Sequence, residues 1–146
     1  MKMSGDVRVK TDVKHKELYN DMKNLAVGDM HELFFICACI GYLAGEQKAL
    51  GTKGDDRFWS KTITPEEYTC YYAMILDRTD IDLMAIQDDK VVMQEIEKYA
   101  NAGMQILIDD LLVDYFPQKN TLKIEKSQVS RELPKALLGY IFEKIQ

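Results

Sequence analysis

Histidine, cysteine and proline are all scarce in this chain, and no hydrophobic run is long. Two histidines, His15 and His31, in 146 residues leave little for a multi-histidine metal face, and no Ser-His-Asp or Cys-His arrangement can be assembled around them from the sequence. His31-Glu32 opens a zinc-protease pattern, but Phe35 occupies the position of the second histidine, so that metal face does not exist. Cys37, Cys39 and Cys70 are odd in number and lie in apolar helical contexts, which reads as buried free thiols in a reducing compartment rather than a disulfide framework. Cys37 and Cys39 stand two apart on a helix and point to nearly opposite sides, which prevents them from sharing a metal. Only three prolines are present, against a disordered or fibrous class. The longest apolar run, Leu33 to Ala44, has 12 residues, short of the roughly 18 that read as a membrane span. The start, MKMSGDVRVK, is polar, with neither an apolar core nor a small-residue cleavage site, so the expectation is a cytoplasmic protein without a secretory signal.

Two further motifs are begun and not completed. Asp77, Asp80 and Asp82 resemble part of a calcium loop, yet Met84 takes the next ligand position and no turn glycine follows. Gly51-Thr52-Lys53-Gly54 lacks the spacing of a phosphate-binding loop and reads as a flexible turn. No cofactor, metal ligand set or catalytic group is therefore assigned, and an enzyme is not expected.

What the chain does contain is a core. It is 47% hydrophobic and 29% charged, which suits one domain over residues 1–146 with an ordinary surface. The net charge of −5 conceals an asymmetry. Residues 1–24 hold six Lys/Arg against four Asp/Glu and residues 119–146 hold six against three, whereas the centre holds seven against seventeen. An acidic centre is unsuited to phosphate contact, so any DNA contact falls to the basic ends.

The longest periodic segment is Asp88 to Tyr115. Val92, Ile96, Tyr99, Ala100, Gly103, Leu107, Leu111 and Tyr115 recur every three or four residues, predicting a helix of roughly seven turns with one buried face. Tyr99, Ala100, Asn101 and Gly103 form a small-residue motif in its middle. The glycine there is disfavoured by about 1 kcal/mol against alanine, which implies a close neighbour. Asn101 is either a polar specificity group or a residue at the edge of the packed face.

Around that helix the chain reads in order as follows. Residues 1–11 form an edge strand or extended arm. A helix runs from an Asp12 cap through Leu18, Tyr19, Met22 and Leu25 to Gly28. A second, apolar almost all round, follows Asp29 and ends near Gly45. Residues 45–63 are a long loop with a short strand or hairpin through Arg57 to Ile63. Thr64-Pro65-Glu66-Glu67 is a helix start with a hydroxyl cap, proline and two acids, and places Tyr68, Tyr71, Tyr72, Ile75 and Leu76 inward. A short helix spans Ile81 to Ile86. Leu122 and Ile124 alternate with charged residues as a second short strand, paired with the Val7 to Val9 segment. A last helix starts around Ser130 or Pro134, with Leu137, Leu138, Ile141, Phe142 and Ile145 as its apolar face. The fold expected is mainly α, a bundle of five or six helices with at most a small β element.

Two side-chain groups stand out as partner-binding candidates. Asp109, Asp110 and Asp114 gather at a helix C-terminus, where they oppose the dipole and where Asp110 and Asp114 repel at four residues' spacing. They suit a basic partner or a cation, or else form a solvated face. Arg57, Trp59 and Lys61, with Lys53 nearby, offer an aromatic and basic patch for a protein hot spot or for stacked bases, unless Trp59 tucks into the core. His15 reads as a surface residue.

The order KHKELYNDM, then FFICACIGYLAGEQKAL, then the Trp59 segment, and above all IEKYANAGMQIL, resembles the protein 4 family associated with bacterial DNA phosphorothioation (Dnd) systems, over roughly residues 13 to 113. The resemblance implies an accessory component of defence clusters that mark DNA with backbone sulfur and restrict unmarked DNA. It supplies no catalytic residues. The expectation is a non-enzymatic accessory subunit whose partners are other proteins of the same anti-phage system, with DNA contact indirect or weak, no membrane, and self-association compatible. The alternative is a nucleic-acid-binding regulator using the basic termini and the Arg57, Trp59 and Lys61 loop.

Overall fold

Two helices are wrapped so tightly that their backbones touch, and the other elements are arranged around that crossing. The computed structural model describes residues 6–51, 54–115 and 126–145. Helix α2, Met30–Ala44, follows Asp29 and ends at Gly45, which takes a left-handed φ of 69° as glycine does at helix ends. Helix α4, Asp89–Asp110, starts at Asp88, whose side chain accepts the Lys90 N–H. A Cβ on Gly103 would fall 1.7 Å from the Cys37 carbonyl oxygen, and one on Gly41 would fall 2.0 Å from that of Tyr99. The two glycines thus face each other's helix, and the contact between α2 and α4 is the most extensive in the fold. The small-residue motif at Tyr99 to Gly103 is this seat for α2.

Asn101 is buried in the same helix and its Nδ2 donates to the carbonyls of Lys48 and Ala49, both at 3.2 Å. The Lys48 N–H returns a bond to the Lys98 carbonyl. The connection after α2 is therefore fastened along α4 rather than left loose.

Of the two readings open for residues 1–11, residues 8–11 take the strand, and residues 1–5 lie outside the described residues. Strand β1, Arg8–Asp12, pairs antiparallel with β2, Gly54–Trp59, with Arg8 opposite Trp59, Asp12 opposite Gly54 and a bulge between Val9 and Lys10. Val9 and Phe58 face each other across the ladder and are both buried. The alternative pairing partner, Leu122 to Ile124, lies outside the described residues. The Lys10 N–H donates to Glu97 Oε2 at 2.8 Å, so β1 is also fixed to α4.

The first helix is more varied than its periodicity predicts. Asp12 caps a 3₁₀ turn over Val13–His15 through the Lys14 N–H, followed by α1, Lys16–Met22. The chain then widens into a π turn, Lys23–Val27, and stops at Gly28 with φ 94°. Leu18, Tyr19 and Met22 are buried.

Helix α3, Pro65–Arg78, carries the full reciprocal cap: Thr64 accepts from the Glu67 N–H and the Glu67 side chain accepts from the Thr64 N–H. Tyr68, Tyr71, Tyr72, Met74 and Ile75 are buried, and Met74 takes the inward place expected for Leu76, which is half-buried. Phe34 packs edge-on against Phe58 and Tyr71. The short helix expected over Ile81 to Ile86 is a 3₁₀ turn, Leu83–Ile86, entered through positive φ at Asp80 and Ile81.

Helix α4 is shorter than predicted. It breaks at Leu111, with φ −135° and ψ −52°, into a 3₁₀ turn over Leu112–Asp114. Leu112, not Leu111, enters the core. Phe116 and Pro117 lie outside the described residues. Helix α5, Lys126–Lys144, begins earlier than expected and runs through Pro134. Its buried side is Val129, Leu133 and Leu137, whereas Leu138, Phe142 and Ile145, expected to be inward, are exposed. Five α-helices and one two-stranded sheet make the described residues mainly α, as expected. No single helix among them is long and apolar enough to cross a membrane.

Candidate functional site

The Arg57, Trp59 and Lys61 patch does not form as one surface. Arg57 and Trp59 lie on β2, but the Arg57 side chain is only 4% exposed and reaches Asp55 Oδ2 at 2.6 Å and Thr11 Oγ1 at 2.9 Å. Its guanidinium also stands 5.5 Å from the Tyr19 ring. A buried arginine held in this way is a structural anchor, and removing Asp55 would leave its charge without a counter-ion. Trp59 is 42% exposed, so it neither pins the loop nor stands bare: Arg8 lies over its ring at 4.4 Å. Lys61 is exposed on the following 3₁₀ turn. The cleft at Trp59 holds the cations Arg8, Lys23 and Arg57 together with Asp29 and His31, and Lys61 is not part of its lining. Asp55 and Asp56 pair with two of these cations, so the cleft offers little net positive charge.

The acidic trio is likewise divided. Asp109 accepts from Gln105 at 3.1 Å. Asp110 accepts the Tyr140 hydroxyl at 2.8 Å and pairs with Lys144 at 3.5 Å, tying α5 to the end of α4. Asp114 stands beyond the break at Leu111, so the four-residue repulsion expected within one continuous helix is not imposed. Asp110 has a structural role, and the trio is not a single open site.

His31 sits between α2 and α3. Its Nδ1 lies 3.0 Å from Glu67 Oε1, a hydrogen bond of the ring to the carboxylate, and its Nε2 is 4.0 Å from Asp29 Oδ2. Asp29, His31 and Glu32 bring ligand atoms within 4.8 Å of one another. The two acids complement the positive end of the α2 dipole, which at the same time opposes a cation there.

Buried titratable groups cluster under β1. Glu97 is 8% exposed, and burial pushes its carboxyl up to about 7 despite the Lys10 N–H and the nearby Lys10 charge. His15 is buried, correcting its reading as a surface residue, and burial with Lys14 nearby pushes it down to about 4. At Asp12 burial works upward, but the N–H groups of Lys14 and Gly51 prevail and hold the carboxyl below its usual value. Burial pushes the Cys37 and Cys39 thiols up to about 12, which suits inert thiols. Cys70 departs from expectation in being exposed.

An open apolar groove lies elsewhere, between α2 and α5. Phe35, Ile36, Cys39, Ile40, Leu43 and Ile141, with Lys144 and Ile145, line a groove of about 170 Å³. Leu43 is 58% exposed and Ile145 66%. The sequence carried a signal for it. Apolar residues on α5 from Val129 to Ile145 cover about 220° of the helix at 100° per residue, far wider than the roughly 100° that a single core-facing stripe needs. Comparison with protein families, with curated proteins and with solved structures finds no match to this chain.

Proposed function

We propose that this chain is a non-enzymatic accessory protein of a bacterial anti-phage DNA modification and restriction system of the phosphorothioation type, acting through protein–protein contacts. The observation that carries the contact is the open groove between α2 and α5, whose lining is apolar and includes the exposed Leu43 and Ile145. Apolar surface gathered in one place, with large side chains left exposed beside it, suits a protein contact. The pathway rests on the resemblance over residues 13 to 113 alone. Co-purification tests the reading: the tagged chain, expressed with its neighbouring defence genes, is expected to recover one of their products, and Leu43→Glu is expected to abolish that recovery. A wild-type chain that stays alone, or a Leu43→Glu variant that recovers the same partner undiminished, would sink it.

The nucleic-acid-binding reading has narrower support, since Arg57 is buried and Arg8 pairs with Asp56. Lys23 and the exposed edge of Trp59 remain at the cleft. Binding to single-stranded DNA that weakens steeply with salt would favour it.

A further inference from the structure

We propose that the outer face of α5 is a self-association surface, on which a second copy of the chain lays its own α5 antiparallel across Gly139. The inference goes beyond the accessory role, because it concerns the face beside the groove and a partner of identical sequence.

Gly139 sits well inside α5, is exposed, and has nothing within 4 Å of a Cβ built on it. Glycine is disfavoured in a helix interior relative to alanine. Elsewhere in this fold the two mid-helix glycines, Gly41 and Gly103, stand where another helix backbone leaves no room for a side chain. Gly139 has the same conformational disadvantage with no such neighbour in its own chain. Two large apolar side chains flank it, Leu138 at 68% exposure and Phe142 at 59%.

Charge then selects the occupant. Lys135 and Glu143 stand four residues to either side of Gly139, both exposed, and no ion pair or hydrogen bond engages either among the described residues. A twofold axis at Gly139 sets each Lys135 at the level of Glu143 of the second copy, giving two opposite-charge pairs around an apolar centre. A parallel arrangement sets lysine beside lysine and glutamate beside glutamate. A surface that complements itself under one rotation is what an isologous dimer requires. Leu138, Phe142 and Ile145 of two copies, each about two-thirds exposed, together bring on the order of 700 Å² of apolar surface to the contact, at about 180 Å² per fully exposed large side chain. That is below the standard interface of about 1,600 Å², so the dimer is weak and concentration-dependent.

Sedimentation velocity of the full chain, from micromolar to millimolar concentration, tests this. The wild type is expected to shift from monomer to dimer. Phe142→Glu, on an exposed residue, is expected to weaken association at least about tenfold. Lys135→Glu and Glu143→Lys are each expected to weaken it, and the double variant Lys135→Glu/Glu143→Lys to restore it, since the swap recreates both pairs. Circular dichroism checks that each variant is folded. A wild type that stays monomeric throughout, a dimer indifferent to Phe142→Glu, or a double variant that fails to recover would overturn the proposal. If the wild type alone is monomeric while Phe142→Glu abolishes recovery of a co-expressed defence protein, the face belongs to that protein; the self-association is then wrong and the accessory role stands.

Discussion

Replacing Gly103 with alanine adds one methyl group and should unseat the centre of the fold. The new Cβ would lie 1.7 Å from the Cys37 carbonyl oxygen, 2.7 Å from its carbon and 2.8 Å from the Gly41 nitrogen. All three are backbone atoms, so no rotamer change relieves the clash, and α2 and α4 have to move apart along their whole contact. Overpacking of a core typically costs about 1–3 kcal/mol and occasionally more, and a rigid backbone neighbour puts this site at the upper end. Alanine's better helix propensity returns about 1 kcal/mol. The net expectation is a loss of about 2–3 kcal/mol, a large part of a typical stability of roughly 5–15 kcal/mol. With a urea slope of about 1–3 kcal/mol/M, the unfolding midpoint should fall by about 1 M or more. Gly139→Ala is the internal control, made at a concentration where the chain is monomeric. With open space around its Cβ, it should raise stability by about 0.5–1 kcal/mol. The same chemical change at two helical glycines thus has opposite signs. A Gly103→Ala midpoint equal to or above that of the wild type would refute the backbone contact between α2 and α4.

Two other expectations concern α4. The Glu97 carboxyl, pushed up to about 7 by burial from an ordinary 4.5, keeps its proton in the folded chain over a range where the unfolded chain has lost it. Its contribution is therefore fully present below about pH 4.5 and is lost as pH rises to about 7, by on the order of 3 kcal/mol. Glu97→Gln should remove that decline, seen as a flatter difference between denaturant midpoints at pH 5 and pH 8; parallel curves for the two proteins would count against it. Asn101→Ala removes both bonds to the Lys48 and Ala49 carbonyls and should cost about 1–3 kcal/mol. Hydrogen exchange at the Lys48 amide, which donates to Lys98, should quicken more than exchange in α3, and unchanged protection there would argue against the fastening.

The parts of the fold legible in the sequence are those decided locally. Thr64, Pro65 and Glu67 form their cap with atoms three residues apart, so composition and spacing predict it. Gly45 ends α2 for a similar reason. The small-residue motif around Gly103 announced a close neighbour because a mid-helix glycine is unfavourable without one. What the sequence could not convey was which of several apolar sides would be covered. Leu138 and Leu137 are adjacent and chemically identical, yet one is exposed and the other buried, a choice made by where α5 rests on the core. Leu111 and Leu112 pose the same ambiguity, and the periodicity runs unbroken through a helix that does break. Arg57 looked like a surface cation because, beside the local Asp55, its partners Thr11 and Tyr19 are distant in sequence. Of the candidate site, the charged residues were visible, but their partners were not, and the groove depends on two helices about a hundred residues apart.

The bond from the Lys10 amide to Glu97 joins residues 87 positions apart, and β2, the other partner of β1, is itself more than forty residues further along the chain. Neither anchor of β1 exists when β1 is synthesised. Closing so long a loop is entropically unfavourable until the remote contacts form. The β1 segment therefore stays unpaired, with its edge and Val9 open, until β2 has been made, and its second fastening has to await α4. The interval before β2 emerges is when a nascent chain of this sequence is most open to mispairing with another β1.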